Sequence, residues 1–67
     1  MAVARIVEVK AGSTESLEAA IQEGIDYATE NYGDVQSAWV NQQEAVVEGG
    51  RVSEYRVDMK VTYMART

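Results

Sequence analysis

The stretch RVSEYRVDMKVTYM, Arg51 to Met64, decides how this chain folds. From Val52 onward Tyr55, Val57, Met59, Val61 and Tyr63 point one way, while Glu54, Arg56, Asp58, Lys60 and Thr62 point the other. Side chains alternate across a strand, so this pattern predicts a strand from Val52 to Met64 with one dry and one wet face. Just upstream, Glu48-Gly49-Gly50-Arg51 reads as a hairpin turn, because glycine supplies the positive φ that tight turns need. Val35 to Val47 is then the partner strand.

Further upstream the period changes. Leu17, Ala20, Ile21, Gly24, Ile25 and Ala28 recur at spacings of three and four, which predicts a helix from Thr14 to about Tyr32. Ser13 is the expected N-cap, and Gly33 the expected left-handed residue past the end. Ala20, Gly24 and Ala28 form a ridge of small side chains. Gly24 costs roughly 1 kcal/mol of helix propensity against Ala, and a close backbone approach would explain it. Arg5 to Lys10 is short and β-branched, giving a first strand that Ala11-Gly12-Ser13 should break.

The order strand, helix, strand, strand predicts an α+β unit. Strand three lies in the middle of a three-stranded antiparallel sheet, and one helix packs on its apolar face. The lengths do not match, however. Strands of 13 residues extend about 40 Å, further than one helix can cover. The hairpin should overhang, leaving Trp39, Val47, Val52 and Tyr55 uncovered, and exposed apolar surface of that kind marks a partner interface.

Composition points the same way. With 67 residues the chain makes one domain, 1–67, too small to bury much of its surface. There is no Cys and no His, so neither disulfides nor the common structural zinc sites can support it, and oligomerisation is left. A net charge of −5 argues against nucleic acid. MAVARIVEVK lacks an apolar signal segment and no stretch is long enough to span a bilayer, so the expectation is a soluble, cytoplasmic protein without membrane contact.

Catalytic signals are nearly absent. The commonest general base and the strongest nucleophile are missing, no serine has a nucleophile-elbow context, and Gly49-Gly50 lacks the lysine and helix of a phosphate loop. The expectation is a binding protein, not an enzyme. The alternating row Glu54, Arg56, Asp58, Lys60 reads either as a ladder of cross-strand pairs or as a charged lining that gathers ions. Trp39, the single Trp, reads either as packing or as a stacking platform for a planar ligand.

Two segments, RIVEVKAGSTESLEAAIQEGI and GGRVSEYRVDMKVTYM, in this order and at this length, resemble the dodecin family across nearly the whole chain. The resemblance implies a hollow homododecamer that stores or holds a small ligand at subunit contacts. In its flavin-binding branch a Trp on strand two stacks on the isoalloxazine ring and a Gln on strand three reads the ring edge. Aligned without a gap, those positions are Ser37 and Arg56 here, with Trp39 two residues on. A riboflavin or FMN site would therefore need Trp39 or Tyr55 to take over the stacking. The stretch 34–57, notably Glu44, Glu48 and Tyr55-Arg56, is similar to a second branch associated with calcium. The resemblance thus implies a small ligand or cation, calcium or flavin, with no metal ligands assigned. Arg56 is expected to close the family pocket by an intersubunit salt bridge to Glu54, Asp58 or Glu44.

Overall fold

The computed structural model describes residues 3–65; the two residues at each end of the sequence lie outside the described residues. The order is β1 (Ala4–Ser13), α1 (Leu17–Asn31), β2 (Gly33–Glu48) and β3 (Arg51–Ala65). The sheet order is β1-β3-β2, with both pairings antiparallel. The central place of β3 and the α+β architecture are as the alternation predicts.

All elements differ from expectation at their ends. Strand β1 does not break at Ala11. It runs on to Ser13 because the long β3 keeps offering partners, Ala11 to Val57, Gly12 to Arg56 and Ser13 to Tyr55. The helix therefore starts later, and Ser16 caps it, its hydroxyl accepting from the Ala19 N–H at 3.0 Å. Ser13 is not the cap: its Oγ accepts from the Glu15 N–H within the connecting turn. Gly33 is not a left-handed helix terminator either. Among the described residues, positive φ occurs only at Gly49 and Gly50, the hairpin turn. Gly33 is the first residue of β2, where a Cβ would run into the carbonyl oxygen of Met64 on β3. Its glycine answers a close backbone approach, not a dihedral demand.

The core lies between α1 and the inner face of the sheet. Val9, Ala20, Ala28, Val57, Met59 and Val61 form it, with Leu17, Ile21, Val35 and Ala38 packed around. Met59 and Val61 are fully buried. The small ridge on α1 has its reason here. The terminal methyl of Met59 occupies the space a Cβ on Gly24 would need, with Val9 and Ala11 in ordinary contact around the same spot. The helix thus settles close onto the sheet.

The overhang is as expected. A 15-residue helix is about 22 Å long, whereas the molecule measures 52 × 18 × 13 Å. Beyond the helix Val47 and Val52 pair across the hairpin, both exposed. Tyr55, on the dry face of β3 but at the start of the overhang, is half-buried between Ser13 and Ala45.

Candidate functional site

Which face a β2 side chain occupies depends on two bulges. Val35 pairs with Tyr63 and Ser37 with Thr62, so Gln36 is an extra residue; Asn41 is another, between Val40 and Gln42. Unbroken alternation from inward-facing Val35 would carry residues 37 and 39 inward as well. The bulge at Gln36 reverses this. Ala38 and Val40 turn toward the core, opposite Val61 and Met59, and Ser37 and Trp39 turn to the outer face, opposite Thr62 and Lys60.

Ser37, Trp39 and Arg56 therefore share the sheet face away from the helix, and all three are exposed, Trp39 by 68%. Trp39 does not belong with Val47 and Val52 at the hairpin tip, as the simple overhang reading had it. It stands near the other end of the outer face, with Lys60 beside it on β3 and Glu8 beyond on β1.

The three residues do not converge within one chain. Ser37 pairs at Thr62 and Arg56 at Glu44. Six residues of β3 separate the two rows, about 20 Å at 3.3 Å per residue.

Around Arg56 the outer face sinks into an open groove of about 400 Å³, lined by Lys10, Gly12, Gln42, Glu44, Glu54 and Asp58 among others. Sequence reasoning did not single out Gly12, Lys10 or Gln42. Their signal exists only in the register, which sets Lys10 and Gln42 on either side of Asp58 and Gly12 beside Arg56. The glycine matters because the Glu54 carboxylate lies across it: a Cβ on Gly12 would sit 2.5 Å from Glu54 Oε2. From there Glu54 Oε1 accepts from Arg56 Nη2 at 3.2 Å.

Within the chain, Arg56 thus finds a carboxylate two residues away on its own strand. Glu44, directly across the ladder, is a second acid within the groove. Asp58 keeps one oxygen, Oδ1, that is shut from solvent and has no hydrogen-bond partner.

The donor set does not build a calcium site in one chain. Among the described residues no three acidic side chains cluster closely enough to hold a metal ion, and the acids of the groove alternate with Lys10 and Arg56. Calcium takes six to eight oxygens, so any such site would need several subunits. The usual flavin arrangement does not fit one chain either: Ser37 offers no ring, and Arg56 is a pure donor already engaged by Glu54. No helix of the described residues is long and apolar enough to cross a membrane.

Comparison with known proteins agrees with this geometry. No curated protein sequence matches the chain. Among solved structures, a single-site variant of the Thermus thermophilus dodecin superposes with a TM-score of 0.87 at 27% identity, covering all of both chains. The dodecin from Streptomyces davaonensis gives 0.88 at 21% identity over 98% of this chain and 97% of that one. The dodecin from Streptomyces coelicolor gives 0.87 at 20%, over 98% and 94%. The Streptomyces likenesses speak to the fold alone. The family model for dodecins matches residues 3–66, which is nearly the entire length, and the chain therefore belongs to the dodecin family.

Proposed function

We propose that this chain is the subunit of a homododecameric, non-catalytic binding protein that holds a small ligand or cation at subunit contacts. The observation that carries the reading is the spacing on the outer face. Ser37, Trp39 and Arg56 share that face but lie too far apart to act together in one chain, so a pocket using them takes residues from more than one subunit. The exposed apolar hairpin supplies the surface for such contacts.

Analytical ultracentrifugation at micromolar concentration tests the assembly. Twelve chains of 7.4 kDa sediment as one species of about 89 kDa. A well-folded monomer would overturn the reading.

Riboflavin titration, followed by flavin fluorescence, tests the ligand. Weak or absent quenching is expected of the wild type, because the stacking position holds Ser37. Ser37→Trp combined with Arg56→Gln should create flavin affinity; a double variant that assembles and still ignores flavin would mean the pocket is misplaced.

A second reading, a flavin store, rests on the exposure of Trp39 on the same face as Ser37. There Trp39 or Tyr55 stacks on the ring, and strong stoichiometric quenching by the wild type would place this reading first. Calcium is the cation to test by the same sedimentation, with and without chelator.

A further inference from the structure

A second groove, of about 410 Å³, runs between α1 and the free edge of β1 and adjoins the first along residues 10–12. Ser37, Trp39 and Arg56 do not line it, and neither the family resemblance nor the sheet-face reading uses it. Glu23 and Tyr27 stand one helical turn apart along one wall. Tyr32 closes the end, its ring 6.2 Å from that of Tyr27 and at 69° to it, an edge-to-face corner.

Tyr32 is in turn braced by Tyr63, 5.4 Å away and buried, so the corner is anchored to the core. Tyr27 is nonetheless 53% exposed. The other wall is residues 8–12 of β1, Glu8 and Lys10 among them. Their pairing is with Lys60 and Asp58 on β3. Strand β1 pairs only with β3, so its other edge presents carbonyl oxygens and N–H groups to this groove.

An aromatic face, strand-edge carbonyls and a lining in which Glu8 and Glu23 outnumber Lys10 together attract a cation of low hydration. The ring quadrupole draws positive charge, and quaternary ammonium groups are its usual partners. A small hard metal ion wants several charged oxygens, and no three acids gather among the described residues. We infer that the groove between Glu23, Tyr27 and the β1 edge is a binding site for a small methylated ammonium ion.

Choline is the probe, titrated by calorimetry into the assembled protein at constant ionic strength. Its neutral isostere 3,3-dimethyl-1-butanol serves as control. Choline should bind and the isostere should not. Tyr27→Leu, which keeps apolar bulk but removes the ring face, should weaken choline roughly tenfold, while Tyr27→Phe keeps it. Glu23→Gln should weaken it about threefold.

No choline binding by the wild type would overturn the inference. So would equal affinity for the isostere, or undiminished affinity in Tyr27→Leu. Sedimentation of the same samples separates this test from that of the assembly. If Tyr27→Leu breaks the particle, Tyr27 is a subunit contact and the inference falls; a monomeric wild type that binds choline leaves the inference standing and removes the assembly.

Discussion

The same hairpin has two fates along its length. Under α1 its strands are dry: Val57, Met59 and Val61 are at most 3% exposed, and Ala38 packs beside them. Past the helix the strands continue to pair, with one register shift between Val46 and Val47, yet Val47 and Val52 are 57% and 49% exposed and the outer face carries mixed charge. Backbone pairing therefore does not distinguish the halves. Cover does. A strand pair becomes a core only where a second element removes its apolar face from water, and one short helix removes about half.

The sharpest way to break this comparison is to charge the dry half. Val61→Asp should abolish folding and assembly, since an unpaired carboxylate at a fully buried position costs more than a small domain's whole stability. Thr62→Asp, one residue on and facing out, should stay within about 1 kcal/mol. Circular dichroism melts of the two variants check it, and equal tolerance would mean the faces are assigned wrongly.

Next come the two glycines that set close approaches in the covered half, Gly24 at mid-helix and Gly33 at the start of β2. Gly33→Ala drives a Cβ into the Met64 backbone, which cannot step aside, and should cost about 3 kcal/mol. Gly24→Ala meets only the terminal methyl of Met59, the end of a flexible chain, and regains about 1 kcal/mol of helix propensity. Its net cost should be about 1 kcal/mol. Pairing Gly24→Ala with Met59→Leu should recover most of that loss, because the colliding methyl is gone. Urea denaturation ranks the three.

The smallest effect belongs to the uncovered half. Arg56 and Glu54 form their ion pair with side chains 55% and 35% exposed. Surface pairs of this kind contribute little, so Arg56→Gln should change subunit stability by under about 0.5 kcal/mol. A larger loss, seen as a shifted melt or a smaller particle, would show that assembly buries the pair.

Much of this was legible in the residues. The strict alternation of 52–64, the double glycine before it and the three-four spacing of 17–28 are local signals, because each depends only on one element's own period. They determined the element order, the central place of β3, the inward residues and the overhang. The ends were not local. Strand β1 runs three residues past its apparent stop, and Ser16 displaces Ser13 as cap, because β3 offers partners that no property of Ala11-Gly12-Ser13 announces.

The candidate site was legible only as residue names. Ser37, Trp39 and Arg56 could be picked out one by one. Their shared outer face comes from the bulge at Gln36, which arises from how β2 fits against β3. The covering of Gly12 by Glu54, and the corner of Tyr27 and Tyr32 on Tyr63, join residues from 5 to 42 positions apart. Such contacts belong to the packed chain: a period tells a side chain which way to point, and only tertiary structure decides what it meets there.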